Sequence, residues 1–249
     1  MKILASDFDN TLLFYQGYQG YYHREDIQAI KEFQKQGNLF GICSGRSFKG
    51  IVDWNFEKID YDFYIICSGA KILDKEGKVI FEQLIDKKIA VDILKAYPTV
   101  NTSIVYQGNT YLLNAPENYI KHPRITSFAE VGDKWETFSL HFADNETAHH
   151  EYLKIKEQFK DQIAIYQNEC HLDFAAMGCS KGAAILKLIE HFKIDPFQMA
   201  VIGDSYNDLP MLTAVENAFT FNRSPDLVKQ TAKYLVDGVD ECIKILMGE

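Results

Sequence analysis

The sequence predicts an α/β fold whose main unit is a doubly wound parallel sheet. In the first third of the chain, short apolar runs that end in polar residues alternate with amphipathic segments, for example at Lys2–Ser6, Arg24–Gln36 and Leu39–Cys43. Such runs are typical of parallel strands that are buried on both faces and covered by helices. The same alternation returns after Gly178, which indicates that the two ends of the chain build one unit.

The elements of the first segment are identified by apolar spacing and stop signals. Residues 24–36 place three apolar side chains at helical spacing, and Gly37 ends the predicted helix. Two further apolar runs, at 39–43 and 61–67, are each followed by a Ser-Gly pair. These runs predict the second and third strands of the sheet.

The middle of the chain has a different pattern. Alternating segments on either side of Gly108–Asn109 and of Asn168–Glu169 predict two β-hairpins, and the spacing at 86–97 and 147–159 predicts two helices. Hairpins beside helices indicate a separate α+β unit. The predicted domains are a discontinuous core, residues 1–82 and 178–249, and an inserted α+β domain, residues 83–177.

The last segment completes the predicted core. A helix at 181–192 precedes a short apolar strand at 199–202. Further strands are predicted at 218–221 and 234–236, and a terminal helix at 239–247. The strand and helix types match those of the first segment, so we expect both segments to share one sheet.

Composition excludes several classes of protein. The 249 residues carry a formal net charge of −9, which argues against a protein that binds nucleic acid by neutralising phosphates. No run of about 18 apolar residues is present, so no membrane span is expected. Acidic residues interrupt the N-terminal apolar run too early for a signal peptide, and we therefore expect a cytoplasmic protein.

Cysteine usage agrees with that expectation. The count is odd, the spacing is wide and no C-x-x-C pair occurs, which favours reduced thiols over a disulfide framework or a zinc site. The five cysteines are Cys43, Cys67, Cys170, Cys179 and Cys242.

Four polar segments follow predicted strands or open a predicted helix. In an open parallel sheet, ligands bind at the carboxyl ends of the strands, so these segments are expected to converge. They are Asp7-Phe8-Asp9-Asn10-Thr11, Ser44-Gly45-Arg46, Ser180-Lys181-Gly182 and Gly203-Asp204-Ser205-Tyr206-Asn207-Asp208.

The acidic residues of these segments predict a cation site. If Asp7, Asp9, Asp204 and Asp208 share one pocket, either some are protonated or a cation neutralises them. Oxygen ligands favour a hard ion, and Mg²⁺ is the natural choice beside phosphate. Taken alone, each pair also fits a simpler structural role, as a helix cap or as a solvated turn.

Lys181 and the Ser44-Gly45 pair predict an anion site. Lys181 stands in the first turn of its helix, where the helix dipole disfavours a cation unless an anion binds there too. Ser44 offers a hydroxyl and Gly45 a free backbone N–H. Each feature has an alternative explanation, a surface lysine for the first and a plain turn for the second.

In this order, the four segments resemble the motifs of the haloacid dehalogenase (HAD) superfamily of phosphotransferases. The position of the insert between the second and third motifs is similar to the Cof-type subfamily, subclass IIB, which carries a C2-type cap. The resemblance implies a Rossmann-like core and an α+β cap that sets substrate specificity. This chain departs from the family pattern at Asn10, where Gly is more usual, and at Ser68, where the subfamily has Asn.

The resemblance also implies a role for each site residue. Asp7 would be the nucleophile that forms an aspartyl-phosphate, and Asp9 the general acid and base. Four positions are implied in binding Mg²⁺, with Asp9 contributing its backbone carbonyl and Asp208 supporting the site: Asp7, Asp9, Asp204 and Asp208. Five are implied in holding the phosphoryl group, with Asn207 also a possible partner of Lys181: Thr11, Ser44, Gly45, Lys181 and Asn207.

These roles predict a magnesium-dependent phosphatase of small phosphate esters, such as a sugar phosphate or a phosphorylated cofactor. A phosphomutase with the same nucleophile and a non-catalytic relative of the family remain alternatives. The expected partner is a small-molecule phosphate ester, with no nucleic acid and no membrane, and the expected state is a monomer or a homodimer.

Two groups of residues are given structural interpretations. The segment 14–22, rich in Tyr and Gly, is interpreted as a packed loop with exposed rings, although its tyrosines could reach substrate. The seven histidines lack ligand spacing and are interpreted as solvent-facing.

Overall fold

The computed structural model describes residues 1–116 and 122–248. Residues 117–121 of the predicted insert and residue 249 lie outside the described residues. Within the described ranges, the helices are all too short or too polar to cross a membrane.

Most of the strands fall where the sequence predicts them. They are β1 (Ile3–Ser6), β2 (Phe14–Gln16), β3 (Gln19–Tyr21), β4 (Leu39–Cys43), β5 (Phe63–Ile66), β6 (Lys71–Asp74), β7 (Val79–Glu82), β8 (Ile85–Asp86), β9 (Asn101–Tyr106), β10 (Asn109–Leu113), β11 (Lys134–Trp135), β12 (Thr137–His141), β13 (Ile163–Asn168), β14 (His171–Ala176), β15 (Met199–Ile202), β16 (Asn217–Phe221) and β17 (Tyr234–Val236).

The helices separate these strands and cover the sheets. They are α1 (Arg24–Lys35), α2 (Phe48–Val52), α3 (Lys87–Leu94), α4 (Asn145–Phe159), α5 (Lys181–Phe192), α6 (Leu209–Leu212), α7 (Asp226–Thr231) and α8 (Val239–Met247). A 3₁₀ turn at Tyr206–Asp208 leads into α6.

The main sheet has eight strands in the order β17-β16-β15-β1-β4-β5-β6-β7. The first six run parallel, and β6 and β7 are added antiparallel at one edge. β1 lies between β4, which follows it closely in the sequence, and β15, with Ile3 beside Met199. The sheet is therefore complete only when the first and last segments of the chain have come together.

Both faces of the main sheet are covered. On β1, Leu4 packs into a cluster with α1 and α8, whereas Ile3 and Ala5 pack with residues of α5, α6 and α7. Because successive side chains of a strand point to opposite faces, this division places helices on both sides. The predicted α/β class, with a doubly wound parallel sheet, is confirmed.

The second sheet is antiparallel, in the order β10-β9-β12-β14-β13. Its apolar side chains, such as Phe138 and Phe174, are fully buried in a cluster that includes residues of α3 and α4. The alternate positions of β12 and β14 are polar, and Ser139 pairs with Asp173 as His141 pairs with His171. The second sheet thus has one apolar face that is covered by helices and one polar face. All of its strands lie within the insert predicted at 83–177. Those boundaries stay a prediction.

Two features differ from the sequence-based expectation. The segment interpreted as a loop contains a short hairpin, β2 with β3, in which Phe14 stacks on Tyr21. The strand β6 was not predicted, because Lys71–Asp74 begins immediately after the polar turn that ends β5. Both are short elements at the edge of longer ones, where local sequence signals are weakest.

Candidate active site

The polar segments meet at one edge of the main sheet because their strands are neighbours. β15, β1 and β4 lie side by side and parallel, so their carboxyl ends share one edge. Asp7 follows β1, Ser44 follows β4 and Asp204 follows β15 after one glycine. The backbone N–H of Asp7 donates to the carbonyl of Ile202, which ties two of these ends together.

Lys181 lies at the centre of the cluster and is only 2% exposed. Its Nζ donates to Asp7 Oδ1 and to Asp208 Oδ1, each at 2.5 Å. The hydroxyl oxygen of Ser180 caps α5 by accepting from the backbone N–H of Ala183, which fixes the first turn that carries the lysine. Such a buried pairing fixes geometry, since removing either partner leaves an uncompensated charge.

Gly182 allows this helix to approach α6 closely. A Cβ built at Gly182 would lie 2.0 Å from the carbonyl oxygen of Pro210, a backbone atom. Any larger residue would push α5 away from α6, and with it Lys181 away from Asp208. The close packing of α5 against α6 therefore explains why glycine follows Lys181.

Asp208 is fully buried and uses both carboxylate oxygens within the protein. Oδ1 accepts from Lys181, while Oδ2 accepts from the backbone N–H groups of Asp204, at 2.9 Å, and Ser205, at 3.0 Å. Asp208 thereby forms a capping box with Ser205 and also holds the lysine. Its position favours support of the cluster over direct contact with an ion.

Three carboxylates are crowded together here. Oxygens of Asp7, Asp204 and Asp208 all lie within 4.8 Å of one another. Against the single ammonium of Lys181, three ionised carboxylates leave two negative charges uncompensated. An excess of two charges among oxygen donors suits one divalent, hard cation.

Burial and mutual repulsion shift the pKa values of this cluster. Burial, and then Asp208, raise the pKa of Asp204 to about 6, and the hydrogen bond of 3.1 Å from the Thr11 hydroxyl opposes this rise. The pKa of Asp7 is raised for the same two reasons, against the opposing effect of Lys181. Burial lowers the pKa of Lys181, but Asp208 and Asp7 raise it more, so the lysine stays charged.

Asp9 occupies a different environment beside the cluster. Arg46 binds its carboxylate through two bonds, Nε to Oδ2 and Nη2 to Oδ1, both at 2.7 Å. The Tyr15 hydroxyl donates to Asp9 Oδ1 at 2.5 Å. The guanidinium also lies over the rings of Phe8 and Trp54. Arg46 was part of a predicted motif, but the sequence analysis gave it no role.

The residues predicted to hold phosphate fall into two groups. Ser44, Gly45 and Asn207 line a cavity. The Ser44 Oγ accepts from the backbone N–H of Arg46 at 3.2 Å. Thr11 is fully buried and donates to Asp204. Asn207 Oδ1 accepts from the Ser205 hydroxyl and the described partners of Lys181 are carboxylates, so a role for Asn207 toward phosphate or Lys181 stays a prediction.

The cavity has a volume of about 640 Å³ and lies between the two sheets. We call the cluster of Asp7, Lys181, Asp204 and Asp208 the floor. We call the polar face of the second sheet that lines the other side the roof. The roof residues are His141, Gln167, Asn168, Glu169, His171 and Asp173.

The roof contains residues that the sequence analysis missed. His141 and His171 line the cavity with their rings 4.4 Å apart, so their interpretation as solvent-facing is wrong. Burial, and then His171, lower the pKa of His141 to about 4. The available signal was the alternation of β12 and β14, which places Ser139, His141, His171 and Asp173 on one face.

A family model for haloacid dehalogenase-like hydrolases matches residues 4–242, nearly the whole chain. The chain belongs to the haloacid dehalogenase-like hydrolase family. The resemblance inferred from the four motifs is thus confirmed, and with it the prediction that the chain is an enzyme.

Curated relatives of this hydrolase are distant in sequence. The 5-amino-6-(5-phospho-D-ribitylamino)uracil phosphatase of Bacillus subtilis is 22% identical over 95% of this chain and 90% of that protein. Among solved structures, a haloacid dehalogenase-like hydrolase from B. subtilis has a TM-score of 0.85 at 21% identity, covering 99% of each chain. A sugar phosphatase of HAD subclass IIB has a TM-score of 0.82 at 20% identity, covering 100% of this chain and 98% of that one. These structural likenesses show that the fold is shared.

Proposed function

We propose that this hydrolase is a magnesium-dependent phosphatase that cleaves small phosphate esters through an aspartyl-phosphate on Asp7. The observation that carries the proposal is the floor, where the Asp7 carboxylate contacts a buried lysine beside two further carboxylates. The phosphatase names of the curated relatives support the same reaction class. The proposed domains are a core of residues 1–82 and 178–249 and a cap of residues 83–177.

The floor residues fit a divalent ion. The donors are carboxylate oxygens, and two negative charges remain after Lys181 is counted. The side chains of Asp7 and Asp204 and the backbone carbonyl of Asp9 would hold Mg²⁺, with Asp208 supporting the site. When bound, the ion would neutralise charge on the phosphoryl oxygens and on the attacking carboxylate.

Asp7 is the proposed nucleophile. One of its oxygens is held by Lys181, and the side chain lines the cavity. A carboxylate oxygen of Asp7 attacks phosphorus, and the bond from phosphorus to the ester oxygen breaks. Water then attacks the phosphorus of the aspartyl-phosphate, which releases phosphate and restores Asp7.

Asp9 is the proposed proton carrier. It gives a proton to the departing ester oxygen in the first step and takes one from the attacking water in the second. Its bonds to Arg46 and Tyr15 orient the carboxylate at the cavity wall. Those two side chains are positioning residues in this scheme.

The remaining predicted residues stabilise the transferring group electrostatically. Ser44, the backbone N–H groups near Gly45, and Asn207 would bind the phosphoryl oxygens from the cavity wall, and Lys181 would offset the negative charge of those oxygens. Thr11 acts through Asp204, to which it donates. A cytoplasmic monomer or homodimer, without nucleic-acid or membrane partners, stays our prediction for the protein in the cell.

A phosphate-release screen tests the proposal. Purified protein is incubated with sugar phosphates, acetyl phosphate, pyridoxal phosphate and flavin mononucleotide, with Mg²⁺ or with excess EDTA. We expect release that stops with EDTA and falls by at least about a thousandfold in Asp7→Asn, since the amide is no nucleophile. The exposed substitution Asp53→Asn is the control.

Two results would contradict the proposal. Full activity of Asp7→Asn would exclude Asp7 as the nucleophile. Undiminished release in EDTA would exclude the metal. Trapping of phosphorylated Asp7 without net release would instead identify a phosphomutase.

A further inference from the structure

The roof contains a carboxylate that the proposed mechanism does not use. Asp173 lies in the centre of β14, on the polar face of the second sheet, and lines the cavity. Its Oδ1 accepts a hydrogen bond of 2.5 Å from the Ser139 hydroxyl. A Cβ built at Gly45 would lie 3.9 Å from its Oδ2, so this second oxygen faces the loop proposed to receive phosphate.

The surroundings of Asp173 contain no positive charge from the roof. The six roof residues comprise two imidazoles, two carboxamides and two carboxylates. The pKa of His141, lowered to about 4 by burial and by His171, keeps that ring neutral near pH 7. The nearby guanidinium of Arg46 is already paired with Asp9.

This charge pattern selects between classes of leaving group. The transferring phosphoryl group sits on the floor side, so the alcohol part of the ester faces the roof. A second phosphate or carboxylate there would meet Asp173 and Glu169. The two guanidiniums that line the cavity are engaged on the floor side, Arg46 with Asp9 and Arg223 with the Asn10 carbonyl. A hydroxyl would donate to Asp173 Oδ2, and a charged acceptor strengthens such a bond.

We propose that Asp173, held by Ser139, reads a hydroxyl group of the leaving alcohol. The enzyme therefore acts on monophosphate esters of small, uncharged, polyhydroxylated alcohols and discriminates against esters with a second anionic group. This inference rests on the proposed phosphatase function, because it assigns the alcohol part of the substrate to the roof.

The first test compares two esters with the same six-carbon chain, sorbitol 6-phosphate and n-hexyl phosphate. We expect kcat/KM to favour sorbitol 6-phosphate by at least about tenfold, the size of one charge-assisted hydrogen bond. Asp173→Ala should remove most of this preference while changing hexyl phosphate by less than about threefold. The control is Asp161→Asn, an exposed cap residue.

The second test compares charge. Wild-type protein should favour fructose 6-phosphate over fructose 1,6-bisphosphate by about tenfold or more. Asp173→Asn keeps the shape of the side chain and removes the charge, so it should narrow this ratio. Thermal unfolding of both variants checks that the fold is intact.

Binding measurements separate this inference from the proposed function. Titration calorimetry of sorbitol 6-phosphate and hexyl phosphate into Asp7→Asn, with and without Asp173→Ala, needs no turnover. A preference for sorbitol 6-phosphate that disappears with Asp173→Ala supports the inference, even if no ester is hydrolysed and the phosphatase proposal fails. Equal effects of Asp173→Ala on both esters, in binding or in kcat/KM, would overturn it.

Discussion

The floor and the roof of the cavity are built in opposite ways. Asp7 directly follows β1, Asp204 follows β15 after one glycine with Asp208 in the same short motif, and Lys181 opens a helix. The roof residues come from strands β12, β13 and β14 and from the turn between the last two, and their neighbourhood depends on strand register. The floor is charged and tightly paired, whereas the roof is mostly neutral. Under the proposed function, the floor would carry out the chemistry common to all substrates and the roof would recognise one class of them.

This comparison predicts that floor and roof variants differ in kind. A floor variant should lower activity toward every ester by the same factor, because all esters share the phosphoryl group. A roof variant should change the ranking of esters.

The largest expected effect is that of Lys181→Met. It removes the ammonium that pairs with the buried carboxylates of Asp7 and Asp208, so we expect a loss of about 3–5 kcal/mol in unfolding free energy. Activity should fall about a thousandfold for all esters, because the phosphoryl charge loses its partner. Urea unfolding and the phosphate-release screen measure both.

Lys187→Met provides the matched control on the same helix. Lys187 lies over the ring of Phe81 at 4.2 Å and lines no part of the cavity. Its substitution should lower the unfolding free energy by less than about 1 kcal/mol and leave activity unchanged. A different loss for each ester in Lys181→Met would break the proposed division between floor and roof.

Gly182→Ala should have an intermediate effect. The new Cβ would lie 2.0 Å from the backbone oxygen of Pro210, so α5 and α6 must separate. We expect a destabilisation of about 1–3 kcal/mol, as for overpacking, with a parallel loss of activity toward all esters. Gly50→Ala is the control, because the nearest contacts of its Cβ would be side-chain atoms, the Ser47 Oγ at 3.3 Å and the Arg46 Cβ at 3.6 Å. Equal stability of the two variants would show that the α5–α6 contact can relax freely.

The smallest expected effect concerns pH. Burial and Asp208 raise the pKa of Asp204 to about 6, above its value of about 4 in an unfolded chain. Ionisation of Asp204 therefore lowers the unfolding free energy of the metal-free protein. This loss begins as pH rises above about 4 and is complete above about 6. Mg²⁺ and protons compete for the same oxygens.

The stabilisation by Mg²⁺ should consequently shrink at low pH. Between pH 7.5 and pH 5 we expect the Mg²⁺ affinity to fall about tenfold, or about 1.4 kcal/mol, since pH 5 lies one unit below the pKa of Asp204. The rise in Tm on adding Mg²⁺ measures this. Asp204→Asn should show little rise at either pH, and a larger rise at pH 5 than at 7.5 in the wild type would contradict the assignment.

The convergence of the floor residues was predictable from the sequence because it follows from the order of the parallel strands. Once three apolar runs are identified as parallel neighbours, their following residues must share an edge, which brings Asp7, Ser44 and Asp204 together. The pairing of Lys181 with Asp208 was not predicted. It depends on the close approach of α5 to the turn at Tyr206–Asp208, which the sequence signals only through Gly182.

The roof was less predictable because its residues meet only through the pairing of strands that are distant in the sequence. His141 and Asp173 are 32 positions apart along the chain, and each has an ordinary spacing by itself. Only the register that pairs β12 with β14 brings them to one face. Arg46 belongs to one of the four predicted segments, but its bonds to Asp9 depend on side-chain rotamers that sequence spacing does not specify.

The position of β1 between β4 and β15 has a consequence for synthesis on the ribosome. β1 can pair with β4 as soon as residue 43 has emerged, but its other edge stays open until residue 202 follows. The second sheet, made of strands close in sequence, can fold during that interval. A nascent chain therefore exposes one apolar strand edge until residue 202 has emerged, and it gains Lys181, Asp204 and Asp208 only from residue 181 onward. Until residue 202 has emerged the chain is vulnerable to pairing with other chains through β1, and before residue 181 it lacks three of the four floor residues.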